Sequence, residues 1–534
     1  MDYLHHPFPS RRTTVFARNG MVATSQPLAA QAGLDMLQRG GNAIDAAIAA
    51  AACLTVVEPT SNGIGGDAFA LIWSGGKLHG LNSSGPAPAA LSIEELHKQG
   101  HKQMPAHGFV PVTVPGAPGA WAQCITRFGR LQLRKVLLPA INYARQGFPL
   151  TPVLASYWQR AHKTYSKLLQ GEQFAPWFET FAPGGKAPRA GEIWSSAGHA
   201  DTLEKIAESN SRDFYQGALA EQIESFATKY GGYITLQDLA SFQPQWVEPI
   251  STDYRGYTVW EIPPNGQGLV ALIALNMLNT FPAAKWDDEL AVHRRIEAIK
   301  LAFADGLEYI TDPNHMQVAI EQLLSKEYAA QRAKTIDIEA QQPKPGSPPA
   351  GGTVYLATAD DEGNMVSFIQ SNYMGFGSGL VVPGTGIALQ NRGHNFSLDP
   401  NHHNALAPGK RPYHTIIPGF LSKGEQPLGP FGVMGGFMQP QGHLQVAVNL
   451  ADCGMNPQAA LDAPRWQWTD GLTVAVEKDF PTHIARKLAE RGHAIRVALD
   501  SGSFGRGQII LRDPESGVLA GATEPRTDGS IACF

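Results

Sequence analysis

The sequence predicts a mixed α/β fold, with helices dominating the larger first part of the chain and strands the smaller second part. Apolar residues recur at helical spacing from Leu290 to Tyr309, and an alanine-rich run from Ala43 to Val57 is long enough for several helical turns. Past residue 352, short runs of apolar and β-branched residues are separated by turn residues, which is typical of strands. The 534 residues are 43% hydrophobic, which is ample material for a core.

The run from Ala43 to Val57 predicts a buried helix. Asn42 is a favourable N-cap residue, and Pro59 is expected to end the helix. The run contains Asp45 and is too short to span a bilayer. No membrane segment is therefore predicted here.

A tether of about residues 339–352 separates the two parts of the chain, because it holds four prolines and too few apolar groups to pack. Directly after it, Thr353 to Ala359 predicts a buried strand, residues 361–364 a turn, and Met365 to Ser371 a second strand. Further elements are predicted in the smaller part: strands at Gly386 to Leu389, Leu444 to Val448 and Gln508 to Leu511, and a helix near His483 to Arg491.

Thr353 is the first residue of the strand that follows the tether. A cleavage before Thr353 would place a free amine beside its hydroxyl. A threonine hydroxyl is a weak nucleophile unless a base takes its proton, and a terminal amine, with a pKa of about 7.7–8.0, is such a base near neutral pH. Gly352 suits this cleavage, since a residue without Cβ tolerates backbone strain while its carbonyl is attacked. The alternative interpretation is a Pro/Gly linker that ends in a β-branched residue.

Composition excludes some functions and leaves others open. A net charge of −5 and a pI near 6.4 provide no basic surface for nucleic acid. The four cysteines have no metal-ligand spacing and are expected to be free and mostly buried. The first twenty residues contain no apolar segment typical of a signal peptide. These features predict a cytoplasmic protein without a membrane segment.

The glycine-rich stretch Gly63 to Gly66 predicts a turn near the functional site. A dinucleotide-binding loop, and with it a dehydrogenase, needs a strand before the glycines, whereas here a helix precedes them. The pairs His5-His6 and His402-His403 are interpreted as solvated loop residues, because adjacent side chains point apart. No metal and no cofactor is predicted.

Sequence blocks recur in the order typical of one enzyme family. The blocks are Gly40–Ala47, Val57–Pro59, Gly63–Asp67, Val114–Gly119, Phe128–Leu131, Asp213–Tyr215, Gly231–Thr235, Asp238–Leu239, Tyr254–Tyr257, Glu297–Ala298, Leu301–Asp305, Asp312–Pro313, Gly377–Gly379, Asn395–Ser397, Lys410–Pro412, Gly435–Gly436 and Glu524–Arg526. On these blocks the chain resembles the γ-glutamyltransferase (glutathione hydrolase) family of N-terminal-nucleophile hydrolases, from near residue 20 to the C-terminus.

This resemblance implies a four-layer αββα sandwich that forms one composite globular domain. It implies self-cleavage between Gly352 and Thr353 into a large subunit, residues 1–352, and a small subunit, residues 353–534. The two subunits would form a heterodimer, and a dimer of such heterodimers is left open.

The resemblance also assigns catalytic roles. Thr353 would be the nucleophile and its own amine the base. The backbone amides of Gly435 and Gly436 would stabilise the oxyanion, and the Ser371 hydroxyl would bond the nucleophile. Asn372 is expected to contact the nucleophile or the substrate.

The substrate pocket departs from the family pattern. Asn82 stands where relatives hold the substrate α-carboxylate with an arginine, and Asn395 stands where an aspartate holds the α-ammonium. His414 and Thr415 replace a pair of serines. Each hydrogen bond to a charged group is worth roughly 1.5–3 kcal/mol, so glutathione is expected to be a poor substrate unless other groups replace the lost ones.

Arg392 lies three residues before Asn395, where relatives often carry a neutral amide. A cation without a carboxylate partner suits an acyl group that has a terminal carboxylate and no ammonium, such as glutaryl. This pattern looks like the cephalosporin-acylase branch of the family. Alternatively, Arg392 faces solvent or a structural carboxylate.

Taken together, these features predict an autoprocessing amidohydrolase or acyltransferase. It would cleave γ-glutamyl amides such as glutathione through an acyl-Thr353 intermediate and pass the acyl group to water or an amine. Two alternatives stay open: a glutaryl (cephalosporin) acylase with weak γ-glutamyl activity, and a processed but inactive binding protein.

Overall fold

The computed structural model describes residues 7–8, 12–343 and 352–534. Most of the predicted tether, including Gly351, and the pair His5-His6 lie outside the described residues. Among the helices of the described part, none combines the length and the apolar character needed to cross a membrane.

The helices are concentrated before residue 340, as predicted. They are α1 Pro27–Gln38, α2 Ala43–Val57, α3 Ile93–Lys98, α4 Ala117–Phe128, α5 Leu133–Gln146, α6 Pro152–Leu168, α7 Ala175–Phe181, α8 Ala197–Ser209, α9 Arg212–Gln216, α10 Ala218–Lys229, α11 Leu236–Ser241, α12 Gly268–Leu278, α13 Glu289–Tyr309, α14 Ile320–Leu323, α15 Lys326–Ala333, α16 Met438–Ala451, α17 Pro457–Asp462 and α18 Thr482–Glu490.

The strands come from both parts of the chain. They are β1 Val15–Ala17, β2 Gly20–Thr24, β3 Asp67–Ser74, β4 Lys77–Ser83, β5 Phe148–Pro149, β6 Ile193–Trp194, β7 Gln245–Val247, β8 Ile250–Tyr254, β9 Tyr257–Glu261, β10 Gly352–Asp360, β11 Met365–Tyr373, β12 Gly419–Lys423, β13 Gln426–Met434, β14 Trp466–Asp470, β15 Thr473–Glu477, β16 Ala494–Ala498, β17 Arg506–Arg512, β18 Leu519–Thr523 and β19 Ser530–Cys533.

Two seven-stranded sheets form the centre of the molecule. One has the order β19-β2-β10-β11-β3-β4-β7 and the other β1-β18-β17-β13-β12-β9-β8. The β10–β11 hairpin lies in the middle of the first sheet, and β10 pairs with β2 from the start of the chain. Strands from both sides of the tether are therefore interleaved in each sheet.

Three apolar cores separate four layers. Tyr355 and Ala357 of β10 pack between the two sheets, together with Phe420 of β12. On the other face of β10, Val354 and Leu356 pack against a helical layer that includes α1, α2, α4 and α5. A third core joins α12, α13 and α16 to the second sheet. The observed order of layers is helix, sheet, sheet, helix, as predicted.

Helix α2 confirms the prediction made from its cap. The Asn42 side chain accepts hydrogen bonds from the amides of Ile44 and Asp45, and the Asp45 carboxylate accepts one from the Asn42 amide. The Asp360 carboxylate accepts a further bond from the Ala43 amide at 2.9 Å. Because Asp360 ends β10, these bonds fix α2 against the central strand.

Most other predicted elements are confirmed, and two are wrong. Leu444 to Val448 lies in α16 rather than in a strand, because this helix is buried on all sides and its apolar run shows no helical periodicity. Gly386 to Leu389 forms only isolated bridges, at Ala388 and Leu389. The four cysteines are free, and Cys53 and Cys124 are buried.

Candidate active site

Thr353 lies at the start of β10, in the space between the two sheets. It is 1% exposed. Its hydroxyl donates a hydrogen bond to Ser371 Oγ at 3.2 Å and accepts one from Gln439 Nε2 at 3.4 Å. The ladder between β10 and β11 is irregular between Gly352 and Val354. The proposed nucleophile is thus enclosed and hydrogen-bonded in the uncleaved chain.

Ser371 and Asn372 are neighbours on β11 and face opposite sides of the sheet. Ser371 lies on the side of Thr353, and its Oγ also accepts a bond from the Tyr373 amide at 2.8 Å. The Asn372 side chain faces the Gly63–Gly66 turn, where a Cβ at Gly63 would lie 2.8 Å from Asn372 Nδ2. The expected contact between Asn372 and the nucleophile is therefore not formed, since the side chains of successive strand residues point to opposite faces of the sheet.

Gly435 and Gly436 connect β13 to the N-terminus of α16. Their φ angles of 137° and 60° lie in the region that favours glycine. The Gly436 carbonyl accepts a bond from Gln267 Nε2 at 2.8 Å, which fixes the turn. Gln439, in the first turn of α16, links this turn to Thr353. A helix N-terminus with free backbone N–H groups is suited to a developing oxyanion.

Arg392 is buried next to Tyr373 at the end of β11. Its Nη1 donates to Thr415 Oγ1 at 2.6 Å, and its guanidinium carbon lies 4.4 Å from the centroid of the Tyr373 ring. Tyr373 is the strand partner of Gly352. In the described part of the chain, the Nε and Nη2 groups of Arg392 have no hydrogen-bond partner, and the neighbouring Asp67 carboxylate attracts the guanidinium without a direct bond to these two nitrogens. Burial lowers the pKa of Arg392 to about 10, so it stays a cation at neutral pH.

Asp67 and His414 form a buried pair next to Arg392. His414 Nε2 lies 3.1 Å from Asp67 Oδ2, and His414 Nδ1 accepts a bond from the Ile416 amide. This pattern places the imidazole proton on Nε2. Burial lowers the pKa of His414 well below its ordinary value, and burial raises the pKa of Asp67 to about 7. His414 is therefore neutral, and its Nε2–H group is already hydrogen-bonded to Asp67.

Asn82 is held in a buried amide network. Its Nδ2 donates to Asn265 Oδ1 at 2.9 Å, and its Oδ1 accepts bonds from the amide and the hydroxyl of Ser84. Asn265 in turn donates to the Pro412 carbonyl at 2.7 Å. Through Asn265, Asn82 thus helps to hold the Pro412 segment in place.

Asn395 borders a cleft of about 400 Å³ that is also lined by Tyr413 and Phe437. The Asn395 Nδ2 group donates to the Tyr413 carbonyl at 2.9 Å. Glu308 is the carboxylate in the cleft lining, and its side chain is 52% exposed. Phe437 directly follows Gly436, so the cleft adjoins the glycine turn.

Two glutamines of the site were not identified from the sequence. Gln439 contacts Thr353, and Gln267 donates to the carbonyls of Thr415 and Gly436. Both residues are fully buried. Gln267 directly precedes α12, and Gln439 shares the start of α16 with Gln441, so neither residue is distinguished by its place in the sequence.

One group of described residues has the spacing of metal ligands. Single ligand atoms of His293, Glu297 and His493 lie within 4.8 Å of one another, and all three residues are buried. The Lys300 ammonium donates to Glu297 Oε1 at 2.6 Å. Because this cation already balances the carboxylate, we assign no metal to the group.

Comparison with known proteins shows the family of the chain. A sequence profile of the family described as Gamma-glutamyltranspeptidase matches residues 29–534. The chain belongs to the γ-glutamyltranspeptidase family. The four-layer sandwich of the N-terminal-nucleophile hydrolases, implied by the resemblance, is confirmed.

Similar members of the γ-glutamyltranspeptidase family carry different activity names. The Glutathione hydrolase-like YwrD proenzyme of Bacillus subtilis is 37% identical, over 97% of this chain and 99% of that protein. The Oxamate amidohydrolase proenzyme of Klebsiella pneumoniae is also 37% identical, over 97% and 98%. The crystal structure of cephalosporin acylase from Bacillus halodurans is 64% identical, with a TM-score of 0.96 over 100% of this chain and 99% of that one.

Proposed function

We propose that this protein cuts itself between Gly352 and Thr353 and then acts as an amidohydrolase. Thr353 would take the acyl group of an amide and pass it to water or to an amine. The products of cleavage, residues 1–352 and 353–534, would stay together as a heterodimer. The interleaving of β2 and β10 in one sheet supports this, because neither piece contains all strands of either seven-stranded sheet.

The substrate class follows from Arg392. The guanidinium is buried beside the strand partner of Gly352, and two of its nitrogens have no hydrogen-bond partner among the described residues. A carboxylate matches such a fork, because it accepts two parallel hydrogen bonds from it. Leaving a buried donor without a partner is costly. We therefore infer that the acyl group of the substrate ends in a carboxylate, which both γ-glutamyl and glutaryl groups do.

The residues around Asn395 favour glutaryl over γ-glutamyl. The two acyl groups differ by the α-ammonium, and Asn395 offers it no charge. Glu308 lies in the same cleft but is half-exposed, so water screens its charge. A γ-glutamyl amide such as glutathione is the second candidate, supported by the resemblance and by the name of the Bacillus subtilis relative.

The first test is the mass of the purified chain. Wild type should contain two chains that divide at Thr353, whereas Thr353→Ala should stay whole. The second test compares kcat/KM for glutaryl and γ-glutamyl anilides on processed enzyme. A preference for glutaryl supports this assignment, and a preference for γ-glutamyl means that other groups hold the ammonium. A processed protein that turns over neither substrate would instead be the binding protein left open above.

A further inference from the structure

The hydrogen bonds of the Thr353 hydroxyl leave one electron pair for attack. A hydroxyl has one proton and two acceptor lone pairs. The proton is directed at Ser371 Oγ, and one lone pair accepts from Gln439 Nε2. With two of its three directions occupied, the hydroxyl cannot rotate freely, and the remaining lone pair has a defined direction.

The orientation of Gln439 is set by the surrounding backbone. Its Oε1 accepts a hydrogen bond from the Ile417 amide at 2.9 Å, so its Nε2 group must be the one that faces Thr353. The side chain is fully buried, and it lies three residues after Gly436 on the rigid first turn of α16. Gln439 is thus a fixed donor rather than an adaptable one.

We propose that Gln439 is a catalytic residue that aims the attacking lone pair of Thr353. This inference rests on the proposed role of Thr353 as the nucleophile. In turnover, the Thr353 amine that cleavage sets free replaces Ser371 Oγ as the acceptor of the hydroxyl proton, while Gln439 keeps its bond to Oγ1. Oγ1 then bonds to the carbonyl carbon as its proton passes to this amine. The carbon–nitrogen bond then breaks as the leaving amine takes that proton.

The resulting ester is resolved by water. Water adds to the ester carbon, the bond to Oγ1 breaks, and Oγ1 regains a proton while the acid is released. Throughout these steps Gln439 gives up no proton. It keeps one donated hydrogen bond on Oγ1, whether this oxygen belongs to a hydroxyl or to an ester.

The test is Gln439→Glu, which keeps the shape and the acceptor for the Ile417 amide but exchanges the donor for a carboxylate oxygen. At pH 8.5 we expect kcat/KM to fall by more than about tenfold, since a hydrogen bond is lost and an acceptor now faces Oγ1. As the pH is lowered, the glutamate takes up a proton and regains a donor. The ratio of variant to wild-type activity should therefore rise toward pH 6, and it should rise more than the same ratio for a glutamate placed elsewhere in the buried part of α16.

Gln439→Met and a second glutamate variant complete the experiment. Gln439→Met should slow both self-cleavage and turnover by roughly 2–12-fold, without the pH trend. The matched control is Gln445→Glu, because Gln445 lies buried on the same helix and, in the described part of the chain, its side chain bonds to Gln441 and Trp466 and not to Thr353. Its activity relative to wild type should change less with pH than that of Gln439→Glu.

Each outcome is decided by rates and intact masses over a pH series. A Gln439→Glu protein that follows wild type at every pH overturns the proposal. The proposal is also overturned if Gln439→Glu stays uncleaved at every pH while Gln439→Met cleaves at the wild-type rate. In that case the loss comes from the buried charge and not from the missing hydrogen bond. If the cleavage rate of Gln439→Glu relative to wild type is higher at pH 6 than at pH 8.5, the proposal is supported even without turnover data. Cleavage and activity in Thr353→Ala would instead refute the role of Thr353 itself.

Discussion

Replacing Arg392 by glutamine should abolish the preference for acyl groups that carry a carboxylate. In the structure, Nη1 of Arg392 is bonded to Thr415, while Nε and Nη2 are buried and have no partner among the described residues. These two nitrogens are the groups that a substrate carboxylate would occupy. Arg392→Gln removes the charge and the fork, yet leaves an amide of similar reach.

The expected loss can be estimated from the number of bonds. Two hydrogen bonds to charged groups contribute roughly 3–6 kcal/mol, which corresponds to about 10²–10⁴ in kcat/KM. Arg392→Lys keeps the charge but not the planar fork, so its loss should be smaller. The fold should tolerate the change, because removing a buried cation also removes its desolvation cost.

The assay compares glutaryl anilide with butyryl anilide, which has a similar acyl chain but no carboxylate. After intact mass has shown that each variant is cleaved, the ratio of the two kcat/KM values is measured for wild type, Arg392→Gln and Arg392→Lys. The ratio should collapse in Arg392→Gln through loss on the glutaryl substrate alone. An unchanged ratio, or an equal loss on both substrates, would refute carboxylate binding by Arg392.

Two further predictions concern stability. Asn42→Ala should lower the free energy of unfolding by about 1–2 kcal/mol, because the cap of α2 and the bond from Asn42 Nδ2 to the Phe128 carbonyl at 2.7 Å are both lost. Asn42→Ser keeps a capping oxygen, so thermal melts should show a smaller loss of stability for this variant. Equal losses in the two variants would contradict the cap as the cause. Burial raises the pKa of Asp67 to about 7, so the folded state holds this proton more tightly than the unfolded chain, whose aspartate pKa is about 3.9. The contribution of Asp67 to stability should therefore fall as the pH rises from about 4 to about 7. Over this window, wild type should lose stability relative to Asp67→Asn. If the melting temperatures of wild type and Asp67→Asn change equally with pH, the prediction is wrong.

Local elements were predictable wherever a short stretch of sequence carries its own signal. Helix α2 followed from Asn42 and Pro59, and the hairpin of β10 and β11 followed from two apolar runs around a turn. The prediction failed for Leu444 to Val448, because a fully buried helix has no polar face to reveal its period. It also failed for Gly386 to Leu389, which lacks a strand partner for a continuous ladder.

The candidate site was only partly predictable. The resemblance pointed to Thr353, Ser371 and the glycine pair, and the structure brings Ser371 to Thr353. It did not point to Gln439 or Gln267. Of the two contacts expected for Asn372, the one with the nucleophile is not formed, and the one with a substrate stays a prediction. The roles of all these residues in catalysis stay predictions.

By itself, the sequence determined the family, the two parts joined by the tether, and the residue types available for catalysis. Only the tertiary structure decided which of those residues meet and which are already occupied. Gln439 reaches Thr353 across 86 residues, and His414 reaches Asp67 across 347. Such contacts depend on how sheets and helices pack, so the local signals that define a helix cap or a turn contain no record of them. For the same reason, only the structure shows that Asn82 and His414 have partners, while two nitrogens of Arg392 have none among the described residues.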